Sequence, residues 1–227
     1  MKKVVFLTGA TGIMGMETVK RFMEHTDEFE LRVLARPSET NYEKLHPYED
    51  RLQIIWGNLM DYDLMSRCRE GVDYVLHVGA LLNPLATDWP SDITMRTNYG
   101  STLAMLRGIK QYHQEEKTHF VYVSTVEALG HHEPPHIWAR MGDPLQPPMT
   151  CYYALSKVAS ERAVAESGLK YWAIVRQSFQ IPNNPIAVDY PIVSHMPQDT
   201  YGERMDAESS GNLMLQICLN APESFWR

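Results

Sequence analysis

One stretch near the start of the chain narrows the possible folds more than any other. A short β-branched and apolar run at residues 4–8 passes directly into Gly9-Ala10-Thr11-Gly12-Ile13-Met14-Gly15, and helical periodicity follows over residues 13–24. A strand, a GxxGxxG turn and a helix in immediate succession describe the first unit of a dinucleotide-binding sheet. Gly9 permits the tight turn, Gly12 lets the backbone approach a pyrophosphate, and Gly15 lets the helix lie close to the strand. The start of the helix offers free N–H groups and a partial positive charge to phosphates. Gly9, Thr11, Gly12, Ile13 and Gly15 are the expected phosphate-binding set.

The same alternation continues. Apolar runs at residues 31–35, 52–56, 74–78, 120–124 and 171–175 are separated by helical stretches at 62–70, 91–113 and 152–166. Strands alternating with helices imply βαβ units and a parallel sheet covered on both faces. The expectation is an α/β fold, a Rossmann-type doubly wound sheet occupying residues 1–180. Beyond it, Pro182, Pro185, Pro191 and Pro197 punctuate a stretch with little periodicity, and a short apolar helix follows at 212–219. Residues 181–227 are expected to form a small, partial substrate-binding region.

Composition limits the partners. The 227 residues carry 21 Lys+Arg against 28 Asp+Glu, a net charge of −7, and no basic run offers the excess that nucleic acid or an anionic membrane requires. No stretch approaches the roughly 18 apolar residues of a membrane span. Cys68, Cys151 and Cys218 have neither metal-ligand nor CxxC spacing, so reduced thiols in a cytoplasmic protein and no metal site are expected.

Two further features carry chemistry. The second strand ends in Ala35-Arg36 about 20 residues past the last glycine, where an acidic residue would hold a ribose 2′-hydroxyl. A guanidinium there can grip a 2′-phosphate, which favours NADP(H) over NAD(H). In Tyr152-Tyr153-Ala154-Leu155-Ser156-Lys157, a separation of four residues puts Tyr153 and Lys157 on one helical face, with Tyr152 farther round. A tyrosine with a pKa near 10 needs a nearby ammonium to work as an acid/base at neutral pH.

Taken together with Val123-Ser124-Thr125-Val126-Glu127-Ala128-Leu129-Gly130 at the end of the fifth strand, these motifs resemble the extended short-chain dehydrogenase/reductase superfamily of NAD(P)-dependent epimerases, dehydratases and reductases. The resemblance spans essentially the whole chain. It implies that Tyr153 moves the proton and that Lys157 lowers its pKa while holding the nicotinamide ribose. Thr125 would bond the reacting substrate oxygen. Asn58 and Leu59 after strand three, Gly79 and Ala80 after strand four, and Asn98 would join Arg36, Tyr153 and Lys157 in the cofactor site. Dimerisation through the helices at 91–113 and 152–166 is the superfamily's habit, so a homodimer is expected.

Departures from the pattern bear on the substrate. Phe179 stands where sugar-nucleotide enzymes of this branch tend to carry an asparagine for the diphosphate, and Val126 replaces the aspartate of the 4,6-dehydratases. With His131, His132, His136, Trp138 and Tyr152, Phe179 could line an aromatic pocket. The leading expectation is an NADP(H)-dependent oxidoreductase acting on a small or medium hydrophobic carbonyl or alcohol. The alternatives are an NAD(P)-dependent epimerase or dehydratase, including one for a sugar nucleotide, and a non-catalytic NADP(H) sensor. Extended members usually run on the order of a hundred residues longer, so either the chain is cut short or its substrate lid is unusually small.

Overall fold

A computed structural model describes residues 1–67, 70–82, 90–130, 139, 140, 142–181 and 204–226. Six parallel strands form its centre: β1 (Lys3–Thr8), β2 (Phe29–Ala35), β3 (Gln53–Trp56), β4 (Tyr74–His77), β5 (His119–Thr125) and β6 (Tyr171–Gln177). Their spatial order is β3-β2-β1-β4-β5-β6, so the order reverses beside β1, where an open α/β sheet leaves a crevice at the carboxyl ends of its strands. The Rossmann sheet expected from the sequence is present.

Both faces are covered, as the nearly unbroken apolar strands require. On one face α1 (Ile13–Met23) and α7 (Ala207–Asn220) pack on each other and on Val5, Leu7, Leu31, Val33, Leu76 and Val121. On the other, α3 (Tyr62–Arg67), α5 (Ser101–Gln111) and α6 (Tyr152–Ala165) cover Phe6, Leu34, Val75, Phe120 and Tyr122. A second sheet of two short parallel strands, β7 (Phe179–Ile181) and β8 (Arg204–Asp206), follows β6.

The structure differs from the sequence expectation in four places. Residues 39–45, which carry no expected element, form α2 (Glu39–Leu45), capped by Ser38 Oγ, which accepts from the Asn41 N–H. The single helix expected at 91–113 is α4 (Ser91–Met95) and α5 joined through a π-turn, Arg96–Gly100. Apolar periodicity registers the shared face and is blind to one extra residue per turn. The last helix begins at Ala207, five residues before the expected start, because Asp206 caps it by accepting from the Ser209 N–H and hydroxyl. Its residues Met214, Leu215, Ile217 and Cys218 sit in the sheet's own core. Finally, Cys151 is half-buried and caps α6, accepting from the Ala154 N–H (3.4 Å), where a small buried residue is expected. Cys68, His131, His132, His136, Trp138 and the prolines from Pro182 to Pro197 lie outside the described residues.

Candidate active site

The glycine turn is shaped by close approach. Gly9 has φ +73°, and a Cβ placed on it would come 2.7 Å from the Gly79 Cα; one on Gly15 would enter the Gly9 carbonyl. Gly12 is different: it is exposed, stands at the N-cap of α1 without a side-chain cap, and no acidic residue occupies the first turn. Thr11 and Ile13 flank it at the surface of the turn. A bare, uncapped helix start beneath a turn with no room for side chains fits a dinucleotide pyrophosphate.

Arg36 is exposed one residue beyond β2, and its carbonyl accepts from Asn41 Nδ2 (2.8 Å). A second cation, which sequence reasoning missed, stands nearby: Lys44 on α2 donates to the Thr11 carbonyl of the phosphate turn (2.9 Å). Ser38 followed by Glu39 was the available signal, a capping residue with an acidic first turn. Asn58 is exposed and its Oδ1 accepts from the Met60 N–H (3.0 Å), which leaves a second lone pair for an adenine amine. Leu59 packs partly buried against the α5 side of the core. Gly79 lies against the glycine turn and Ala80 follows it, half-buried.

At the carboxyl end of β5, α6 brings in Tyr153, the acid/base candidate of the sequence. Tyr153 is 9% exposed and Tyr152 is 39% exposed, so the helix turns Tyr153 to the protein and Tyr152 to solvent. Thr125 Oγ1 accepts from the Glu127 N–H (3.2 Å), and its hydroxyl acts on the Tyr153 phenol in the direction that lowers its pKa. Lys157 is fully buried. Its Nζ donates to the Val123 carbonyl (2.7 Å) and lies 4.9 Å from the Tyr122 ring centre and 5.7 Å from that of Tyr153.

Burial dominates the electrostatics of Tyr153 and Lys157. Burial, then the charge of Glu127, pushes the Tyr153 phenol above its ordinary value, while the Thr125 hydroxyl pulls the other way. Burial also lowers Lys157 to about 7, against the opposing charge of Glu161. Desolvation thus pushes both groups toward their neutral forms. Glu161 is itself clamped by Arg176 through two hydrogen bonds of 2.9 and 2.7 Å.

Asn98 sits in the π-turn. Its Oδ1 accepts from the Leu81 N–H (2.7 Å), and its Nδ2 donates to the Leu81 carbonyl (3.1 Å) and to Ser156 Oγ (2.9 Å) on α6. Two buried polar atoms near this edge, Ser124 Oγ and Gln177 Nε2, have no hydrogen-bond partner among the described residues, and Gln177 stands beside Thr125 in register. Phe179 lies on β7, 46% exposed.

The sequence model of the NAD dependent epimerase/dehydratase family matches residues 5–220. The chain belongs to this family of enzymes. Among solved structures, the NAD dependent epimerase/dehydratase fold seen here is similar to the Bordetella bronchiseptica enzyme WbmH in complex with NAD+. The TM-score is 0.76 at 19% identity, over 98% of this chain and 74% of that one. It is also similar to DesIV, a dTDP-glucose 4,6-dehydratase from Streptomyces venezuelae with NAD bound, at TM-score 0.77 and 20% identity over 95% of this chain and 71% of that one. At such identities the likeness establishes the fold. An uncharacterized membrane protein of Methanocaldococcus jannaschii is 27% identical over 128 residues, 56% of this chain; the match spans 37% of that protein's length. Among the described residues of the present chain no helix is long and apolar enough to cross a membrane.

Proposed function

We propose that this chain binds a nicotinamide dinucleotide across the glycine turn and catalyses reversible oxidation of a substrate hydroxyl, in an epimerase or dehydratase cycle that restores the cofactor each turnover. The observation that carries this is the convergence of Tyr153 and Thr125 at the mouth of β5 with Lys157 beneath them. Gly9, Thr11, Gly12, Ile13 and Gly15 would hold the pyrophosphate, Asn58 and Leu59 the adenine side, and Gly79, Ala80 and Lys157 the nicotinamide ribose. When bound, the nicotinamide supplies the two-electron acceptor and donor. The protein's own contribution is proton handling: Tyr153 takes the proton of the substrate hydroxyl or returns it to the carbonyl. Thr125 orients that oxygen through its hydroxyl. The family match places this cycle ahead of the net reduction that the sequence motifs put first. Mass spectrometry of the denatured protein for retained dinucleotide, with turnover assays that follow substrate and cofactor separately, tests it. Turnover without cofactor consumption is the expected result; stoichiometric consumption would replace it with the second reading.

That second reading is NADP(H)-dependent net reduction of a less polar carbonyl. Arg36 and Lys44 favour it on the cofactor side, because Lys44 reaches the Thr11 carbonyl of the glycine turn and Arg36 follows β2 at the position where a 2′-phosphate would be met. Phe179 and Val126 favour it on the substrate side, since a phenyl ring cannot hydrogen-bond a sugar diphosphate and a valine cannot supply the elimination proton that the dehydratases' aspartate would give. A tighter Kd for NADPH than for NADH, lost in Arg36→Ala, is the expected signature. The sensor alternative is disfavoured by the intact Tyr153–Lys157 pair. A homodimer through α5 and α6, read by size-exclusion chromatography, and a cytoplasmic setting for the thiols of Cys151 and Cys218 complete the proposal.

A further inference from the structure

A buried hydrogen-bond relay joins the phosphate turn to the catalytic helix, and its centre is a residue that the family motifs above do not use. The Gly79 N–H donates to Thr8 Oγ1 (3.0 Å), and Thr8 Oγ1 lies 2.8 Å from His77 Nδ1. On the other side of the ring, His77 Nε2 lies 3.1 Å from Thr102 Oγ1 and 3.4 Å from Ser101 Oγ. The Thr102 and Ser101 hydroxyls donate to the Asn98 carbonyl (2.9 and 3.1 Å). Through its amide, Asn98 reaches Ser156 Oγ, and Ser156 donates to the Tyr153 carbonyl (2.7 Å). Thr8, His77, Asn98, Ser101, Thr102 and Ser156 are each 1% exposed or less.

The direction of the protons follows from counting donors. Thr8 Oγ1 already accepts from Gly79, so its single proton goes to His77 Nδ1, and the ring carries its proton on Nε2 facing Thr102. The reverse arrangement would strand the Thr8 hydroxyl proton, buried, with no acceptor among the described residues, at the cost of a lost hydrogen bond. The relay therefore has one polarity, and His77 is the only member that reaches both β1 and α5.

We propose that His77 is a positioning residue that sets the phosphate turn, and hence a bound dinucleotide, in register with Tyr153 on α6. This rests on the hydride-transfer reading of the site. Its consequence is that cofactor binding and the chemical step depend together on a side chain placed to touch neither substrate nor cofactor.

The test compares His77→Phe, which keeps a ring and removes both hydrogen bonds, with His77→Gln, which keeps a donor toward Thr102. In folded protein, checked by circular dichroism, His77→Phe should weaken dinucleotide binding and lower kcat by roughly 10–100-fold with substrate KM unchanged, the effect of small misplacement. His77→Gln should recover part of both. A role confined to stability would lower the melting temperature and leave kcat and dinucleotide Kd of the folded fraction intact, and that result overturns the proposal. If His77→Phe does not fold, Thr102→Val removes one hydroxyl and should produce the same paired loss; no loss there also overturns it. If the wild type neither binds dinucleotide nor turns over substrate, the hydride-transfer reading has failed. Nitrogen-15 NMR of the His77 ring then tests the relay alone: a protonated Nε2 with a bare Nδ1 is expected, and the opposite tautomer refutes it.

Discussion

The two ends of the parallel sheet are built from opposite materials. At the amino-terminal edge one rung of the ladder runs Tyr74, His119, Tyr171 across β4, β5 and β6. The rings stack at 5.0 and 4.4 Å, Trp226 closes over His119 at 4.6 Å, and Lys3 reaches the Tyr74 hydroxyl. At the carboxyl-terminal edge the strands end in Thr8, His77, Thr125 and Gln177, with glycines beside them, a buried amine at Lys157 and polar atoms at Ser124 and Gln177 without a partner among the described residues. Stacked aromatics give burial and rigid shape. Desolvated hydroxyls, amides and an amine cost stability and are tolerated where a ligand is to be met. The contrast locates stability at one edge and reactivity at the other, and substitutions on each should separate the two.

The largest effect expected is at Tyr153. Tyr153→Phe removes the proposed proton carrier and should lower turnover by about 10²–10⁴-fold, with melting temperature and dinucleotide Kd close to wild type. Turnover that survives would remove Tyr153 from its role. The mirror experiment is Trp226→Ala at the other edge, which strips the cover from His119 and Tyr74 and should cost about 2–3 kcal/mol of stability, read by denaturant titration. Dinucleotide affinity should not move. A loss of affinity comparable to the loss of stability would break the division between the edges.

Lys157 sharpens the comparison through pH. Its folded-state value of about 7 lies below the ordinary 10.5. Between those limits the unfolded chain holds a proton that the folded chain lacks, so the stability it sets rises with pH from about 7 to about 10 and is lowest below 7. Lys157→Met should therefore stabilise the free protein at pH 6 by on the order of 1–2 kcal/mol, the advantage fading toward pH 10, while turnover is lost. At the opposite edge burial lowers His119, which by the same sign makes stability fall as pH drops below 6.5. Two separate windows, one per edge, are the expected profile, and Lys157→Met should abolish only the upper one.

Much of this was legible in the sequence where chemistry forces a pattern. The glycine turn, the six strands and the four-residue spacing of Tyr153 and Lys157 are set by backbone geometry, and spacing reports geometry. The π-turn at Arg96–Gly100 was not legible, since it changes hydrogen bonds without changing the apolar stripe. Nor were Lys44 and the His77 relay, because a lysine meeting the Thr11 carbonyl 33 positions away, or a histidine meeting Thr8 69 positions away, leaves no local trace. The electrostatics of Tyr153 and Lys157 were beyond reach for the same reason: desolvation comes from β5 and its neighbours closing over α6, and the helix sequence carries no sign of it.

The smallest effect expected tests whether the polar atoms at the reactive edge are held there at a cost. Ser124 is 3% exposed and its hydroxyl has no partner among the described residues, while its backbone stays paired in register with Arg176 on β6. Ser124→Ala deletes one buried oxygen and keeps the strand. A stabilising side-chain hydrogen bond would make that change unfavourable; a stranded hydroxyl makes it neutral or favourable by about 0.5–1 kcal/mol. A gain in melting temperature together with weaker dinucleotide binding would show that the hydroxyl is reserved for the ligand. A loss of stability of similar size would show instead that Ser124 is satisfied within the fold, and that the contrast between the edges is narrower at this position.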